Sequence, residues 1–443
     1  MNLNLKKIKY FFKNVNSDHQ KIAVTFLWVS FFVSIGKLAG AAKEMAIAWR
    51  YGVSSTVDAY VFIFNLVNWP ISVWFSILTI VLVPLIIDIE HESHEKLLRF
   101  RKEVLGFTII LGISLALVAF ILLPFLLSSK QVGLTQDVLE EALRIIPGMV
   151  ILIPLGLIIG LFSIMMLIRG RHRNTLFEAL PATTILLFLV LPSSLILNPL
   201  LLSTIAGFTL HLIFLFASLK SEGQLAFPSF KFTSPVWKDI VRSVGITAVG
   251  QLLMSLTTII DQFFIAGLGL GALSTVSYAN RILGLIIGVG AMAISRSTLP
   301  IFSKVSIRNI GEIKKLAIQW AVVMFCVAVL GIVLVWIFSV DIVRIIFERG
   351  AFRKEDTEIV GKYLQYSLLQ VPFYMGGLVV VTALISMKKY AEIAFVSGIN
   401  LFIKIILNYF FVNLYGVEGV IFATVIMIAV SAILSGIVLL RSS

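Results

Sequence analysis

Uninterrupted apolar runs of membrane-crossing length recur from one end of this chain to the other, and nothing else in the sequence limits its folds so sharply. VLGFTIILGISLALVAFILLPFLL (residues 104–127) and AVVMFCVAVLGIVLVWIF (residues 321–338) contain no charged residue. A helix needs about 20 apolar residues to cross the hydrocarbon of a bilayer, whereas barrel strands are short and alternate apolar with polar residues. The chain therefore reads as an all-α, polytopic membrane protein. Its residues are 59% hydrophobic and only 13% charged, against roughly 25% charged in a soluble domain.

The pattern predicts about twelve helices, over 22–48, 58–87, 104–127, 142–168, 176–197, 199–219, 239–267, 273–302, 317–339, 358–386, 390–413 and 416–440. Pro84, Pro124, Pro300 and Gly416 fall at their borders, where such residues stop or bend a helix. Every second gap is basic: Lys96, Arg99, Arg101 and Lys102; Arg169, Arg171 and Arg173; Lys220, Lys231 and Lys238; Lys304, Arg308, Lys314 and Lys315; Lys388 and Lys389. The intervening gaps hold Arg50, Lys130 and a mixed stretch near Arg349, or no cation at all. Basic loops stay in the cytoplasm, so both termini are expected there.

The same rule accounts for the net charge of +13 without any nucleic acid. The basic segment 1–21 carries no small-residue cleavage site, and with Tyr10, Phe11 and Phe12 among its lysines it reads as a cytoplasmic tail resting on the anionic leaflet. Cys326, the lone cysteine, is expected to be a small core residue.

The longest polar linker, 220–238, divides the chain into a half at 22–219 and a half at 239–440. SSTVDAY (Ser54–Tyr60) echoes LSTVSYA (Leu273–Ala279), and LVPLI (Leu82–Ile86) echoes TLPIFS (Thr298–Ser303). Halves of six helices each would be parallel repeats about an axis along the membrane normal, two lobes around a central cavity.

Ionisable residues at membrane depth cost about 2.5–3.5 kcal/mol on insertion scales, so they usually face a cavity or a partner. Lys37, Lys43, Glu44, Asp58, Asp261, Arg281, Arg296 and Lys404 are so placed. Lys37 and Glu44 share a face of an ideal helix, and Gly36 and Gly40 beside them permit close packing or a bend. Lys43 with Glu44 also reads as an interfacial pair with a snorkelling lysine, Arg296 as a snorkelling residue, and Asp58 as a helix cap. Lys37, Arg281 and Lys404 lie too far from their helix ends for that. Cations outnumber anions in this zone, which suits an anionic ligand such as a pyrophosphate.

No enzyme chemistry presents itself. There is no phosphate-binding GxxxxGK[ST] loop. His91, His94 and His172 lack metal-ligand partners at suitable spacing, and no cofactor is expected.

FERGAFRKEDT (Phe347–Thr357) resembles a loop of the MviN/MurJ-type lipid II flippases, in the multidrug/oligosaccharidyl-lipid/polysaccharide exporter superfamily. That family's Arg-x-x-Gly-x-x-Arg-Asp is matched in spacing by Lys37, Gly40, Lys43 and Glu44; VDAYVF (Val57–Phe62), residues 278–304 and GVEGVIFATVI (Gly416–Ile426) are similar to its second, eighth and twelfth helices. The resemblance implies alternating access between two six-helix lobes, in the inner membrane, for an undecaprenyl-pyrophosphate-linked glycan whose lipid tail stays in the bilayer. It implies that Lys37 and Lys43 grip phosphate, Glu44 switches Lys43, and Arg281 contributes from the other lobe, driven by an ion gradient or the membrane potential. Lysines replace both motif arginines and lack their bidentate fork. Asn65 and Ile71 stand where the family has more cations, and about twelve helices are expected where lipid II flippases have two more. Those departures extend the expected cargo to an O-antigen or capsule unit. A cation-coupled multidrug exporter of the same superfamily, with Asp58 and Asp261 as coupling carboxylates, is the alternative.

Overall fold

The protein is represented by a computed structural model that describes residues 35–442 apart from 84, 87–88, 90–92, 130–131, 169–175, 193–197, 222, 224, 226 and 307–309. The expected tail at 1–21, the start of the first helix, Pro84, His91, Lys130, Arg169, Arg171, His172, Arg173 and Arg308 lie outside the described residues, as do the side chains of His94, Lys238, Arg296 and Lys304.

Among the described residues the chain is helical throughout, with no strand. The helices are α1 (35–51), α2 (Ser55–Ile77), α3 (His94–Leu127), α4 (Gln136–Met149), α5 (Leu152–Ile168), α6 (Leu180–Val190) and α7 (Pro199–Ser221) in the first half. The second half holds α8 (Val236–Ala266), α9 (Ala272–Ser306), α10 (Ile310–Ile337), α11 (Ser339–Phe347), α12 (Lys354–Leu368), α13 (Val371–Ser386), α14 (Tyr390–Tyr415) and α15 (Val417–Arg441). A π-helical turn, Leu78–Leu82, extends α2.

Nine spans, counting α12 with α13 as one, are long and apolar enough to cross a membrane; the pair α4–α5, bent by 48°, makes a tenth. Pro147 lies just before that bend and Pro154 just after it, and proline removes a backbone donor from the helical ladder. The two other expected spans appear as α1 and α6, both shorter than a full crossing among the described residues. The expected count of twelve is therefore not reached there. The outer faces of α3 and α10 are apolar and exposed, as at Ile121, Phe125, Leu330 and Leu334, which a lipid solvent explains. Cys326 lies on the exposed face of α10 and not in the core, because that helix turns only a narrow stripe inward.

Within the first half, α2 packs on α4 and α5, α5 on α3 and α7, and α6 on α7. Within the second, α13 packs on α9, α10 and α15, and α14 joins α8 to α15. The contacts of α2 with α8 and α9 bridge the two sets, with Trp69 Nε1 donating to Ser255 Oγ at 2.8 Å.

Close interlocking holds the halves together at one end of the bundle. Ala351 N donates to the Trp49 carbonyl at 2.8 Å, and the Tyr278 hydroxyl to the Gly52 carbonyl at 2.9 Å. Phe347, Phe352 and Tyr278 form one aromatic cluster. Gly350 makes this fit possible: its φ is +61°, and a Cβ there would lie 2.2 Å from the Trp49 carbonyl oxygen, so only glycine is accommodated. The FERGAF segment is thus a lock against the end of α1, while Arg344 makes local pairs with Asp341 and Glu348.

At the opposite end the linker is strapped onto α3. Glu103 accepts from Thr233 N at 3.2 Å, Ser234 N at 3.1 Å and Trp237 Nε1 at 2.7 Å. Ser229 N donates to the Lys102 carbonyl at 2.9 Å.

Candidate functional site

A cavity of about 390 Å³ lies between the halves, walled by α1 on one side and by α9 and α11 on the other. From α1 it takes Lys37, Gly40, Lys43 and Glu44; from α9, Asn280, Arg281 and Gly284; from α11, Ile346 and Phe347. Helix α1 runs unbroken through Gly40, so no bend is needed to present both lysines. Among the described residues, a Cβ on Gly40 would meet nothing within 4 Å, and one on Gly36 would meet only Ala179 Cβ at 4.0 Å. Gly40 leaves space in the cavity, while Gly36 lies at ordinary contact distance from Ala179.

Glu44 is the hub. Its Oε1 is 2.8 Å from Lys43 Nζ and 3.1 Å from Arg281 Nε. The second contact crosses from one half to the other. The Glu44 side chain is only 11% exposed, whereas Arg281 remains 42% exposed and open to the cavity. The Lys37 ammonium reaches α9 as well, 3.1 Å from the Cβ position of Gly288, where any larger residue would displace it. Three cations thus line a cavity with one carboxylate, which two of them contact, so the cavity carries a net positive charge that an anion of high charge density would neutralise.

Lys43 also faces a second cavity, of about 310 Å³, inside the first half, with Tyr60, Phe64, Glu178 and His211. The Tyr60 hydroxyl hydrogen-bonds Thr204 Oγ1 at 3.0 Å. Asn280, Tyr60 and His211 escaped the sequence reading, although Tyr60 sits in the quoted VDAYVF block. An isolated His or Asn in an apolar run carries no signal of which way it points.

The remaining expected site residues lie elsewhere. Asp58, on the first turn of α2, is buried and accepts from Gly271 N at 2.6 Å and Ser274 N at 2.7 Å. It caps α9, a helix of the other half, and not its own. A carboxylate suits free amides at a helix N-terminus, so its place is at the closed end and not in the cavity. Lys404 does not join Lys37 and Arg281. It pairs with Asp261 at 2.9 Å within the second half, which also removes Asp261 from the central cavity.

The family described as "Lipid II flippase MurJ" matches residues 47–443. The chain belongs to the lipid II flippase MurJ family. A "Probable lipid II flippase MurJ" of Buchnera aphidicola subsp. Baizongia pistaciae is 24% identical, over 80% of this chain and 71% of that protein. A lipid II flippase MurJ structure in an inward closed conformation superposes with a TM-score of 0.81 at 18% identity, covering 92% of this chain and 86% of that one. An inward-facing multidrug transporter of the superfamily gives 0.74 at 14% identity, covering 91% and 93%. These two likenesses show a shared fold. The family match begins just after Glu44, so the α1 charges rest on their spacing and on the cavity geometry. Arg281 and the lock at Gly350 fall inside the matched MurJ span. Membership makes the protein a membrane-embedded transporter and not an enzyme.

Proposed function

We propose that this chain is an inner-membrane flippase for an undecaprenyl-pyrophosphate-linked glycan, with lipid II, the cargo in its relatives' names, as first candidate. The observation that carries this reading is the cationic cavity shared by α1 and α9, where Lys37, Lys43 and Arg281 outnumber the single Glu44. A pyrophosphate would compete with Glu44 for Lys43 and Arg281, freeing one of the contacts that tie the halves together. Binding and the start of the conformational change are then one event. The two sets of helices, 22–219 and 239–440, act as the lobes. With both termini cytoplasmic, the interlocked end faces outward, and the cavity loads from the cytoplasm.

Multidrug export by cation coupling is the weaker reading. Its two carboxylates are already engaged, Asp58 by backbone amides and Asp261 by Lys404. Expression in a bacterium depleted of its essential lipid II flippase tests the proposal. Rescue by the wild type and not by Lys37→Ala supports lipid II as cargo. Failure with the protein confirmed in the membrane assigns the chain to another lipid-linked glycan, read out as loss of O-antigen or capsule on deletion in the native host.

A further inference from the structure

The linker between the halves carries three aromatic residues in FPSFKF, residues 227–232, and the function proposed above makes no use of them. Phe232 packs inward on Phe107 and Trp237, with ring centroids 6.2 and 5.6 Å away. Phe227 and Phe230 point outward, 84% and 57% exposed. The segment that presents them is nevertheless fixed in place. Ser229 N donates to the Lys102 carbonyl at 2.9 Å, and the Glu103 carboxylate holds the amides of Thr233 and Ser234.

The place where the linker crosses α3 sets its depth. Gly106 clears the way, since a Cβ there would lie 2.1 Å from the Ser229 carbonyl oxygen. That crossing falls at the start of the uncharged run 104–127, just past Glu103. Gly106, Ile110, Ile113 and Leu117 share one helical face, and the last three belong to the exposed apolar surface that lipid covers. The linker therefore lies on the lipid-facing side of α3, at the edge of the hydrocarbon. A non-helical backbone facing lipid cannot sit deeper, where its amides have no water to bond. Aromatic rings favour that boundary.

Cations gather at the same level. Lys102, one turn from Gly106, is exposed, as is Lys231 between the two rings that flank it. The Arg99 side chain stays 57% exposed while pairing with the buried Glu103. Among the described residues of the linker and α3, the nearest exposed acid is Glu95, a further turn from the apolar run. We propose that residues 227–232 bind the anionic phospholipid surface of the cytoplasmic leaflet. Phe227 and Phe230 enter the acyl boundary, and Arg99, Lys102 and Lys231 meet the lipid phosphates. The choice of leaflet rests on the cytoplasmic placement of the linker. Each cation close to an anionic leaflet strengthens such contact about fivefold. Lipid thereby gives the joint between the halves a second hold, beside the one on Glu103.

The test attaches a nitroxide at Phe227→Cys, in a Cys326→Ser background, in the full-length protein reconstituted into lipid discs. Collisions with oxygen, which concentrates in the bilayer, are compared with collisions with a water-soluble nickel complex. In discs of phosphatidylcholine with phosphatidylglycerol, oxygen is expected to dominate; in phosphatidylcholine alone the balance should move toward nickel. Lys102→Glu with Lys231→Glu should lower the oxygen-to-nickel ratio at least about fivefold in the mixed discs. A label that stays in water in both lipids overturns the proposal and leaves the patch to a protein partner. Equal burial in both lipids, unmoved by the charge reversals, also overturns it, because the cations then select nothing. Pro228→Cys, which keeps both rings, gives the same reading if loss of Phe227 spoils the fold. Discs present the same lipid on both faces and no transport is measured, so the result stands apart from the linker's side and from the cargo.

Discussion

Lys43 with Glu44 and Lys404 with Asp261 are both lysine–carboxylate pairs, at 2.8 Å and 2.9 Å. The first shares its carboxylate with a half-exposed Arg281 from the other half and opens on a cavity. The second lies among α8, α14 and α15, its ammonium fully buried and its carboxylate 19% exposed, with each remaining ammonium proton committed. What separates the two is the balance of charge and the access to solvent. An excess of cations facing a cavity leaves capacity for a ligand; a matched pair whose ammonium is wholly buried leaves none. Charge at membrane depth marks a functional site by default, and here the default needs the partner list before it says which function.

The largest effect that can break this contrast is expected at the Lys404–Asp261 pair. Lys404→Ala should cost about 3–5 kcal/mol, the usual result of stripping one partner from a buried pair. Replacing both residues, as in Asp261→Asn with Lys404→Met, should recover most of it in denaturation experiments. Equal losses in the single and double variants would mean that the pair is no tighter than the one in the open cavity.

At the cavity the expectation reverses. Arg281→Ala or Lys37→Ala should lower glycan transport about 10- to 100-fold, the worth of a charge-assisted hydrogen bond of about 1.5–3 kcal/mol. Folding stability should move by less than about 1 kcal/mol, since solvent-facing pairs contribute little. A melting temperature that falls in step with transport would assign Arg281 a structural role instead.

Smaller effects sharpen the contrast by loosening the closed end on which the open cavity depends. Gly350→Ala places a side chain at positive φ and should cost about 1–2 kcal/mol from that alone. Cysteine labelling at the interlocked end should then rise, with the Lys404 cluster undisturbed. Asp58→Ala should cost about 0.5–2 kcal/mol as a lost helix cap, seen as faster hydrogen exchange at the Gly271 and Ser274 amides. Arg344→Ala, with partners on its own helix and at its end, is the control at about 0–1 kcal/mol; a larger change in transport would extend the site to the outer loop.

How much of this could be read from the letters follows from range. Apolar length and the spacing of basic loops are local, so the helical, membrane-crossing class was legible. The ends of α1 and α6 were less so, because Gly, Pro and Ser blur where a crossing stops. That Lys37 and Arg281 line one cavity could be suspected only from their shared improbability in lipid and from the family resemblance; which helices adjoin is not written in either helix. Asp58 shows the limit well: an acid in the first turn suggests a cap, but nothing local says the capped helix begins at Ala272. Lys404 and Asp261 were both visible as misplaced charges, yet their pairing was not. The recurrence of Asn400, Lys404 and Asn408 at every fourth position was a readable signal of a polar stripe facing inward.

The strap on Glu103 has a mechanical consequence. Helix α8 starts at Val236, beside the Trp237 that Glu103 holds, so its first turn is fastened to α3 in the first half. Its later turns pack on α14, and Asp261 pins them to Lys404 in the second. The two halves are therefore joined not by a slack cord but by a stiff rod clamped at both ends. Any rocking between them must flex that rod, and a flexed rod pushes back, so α8 would act as the return spring of the transport cycle.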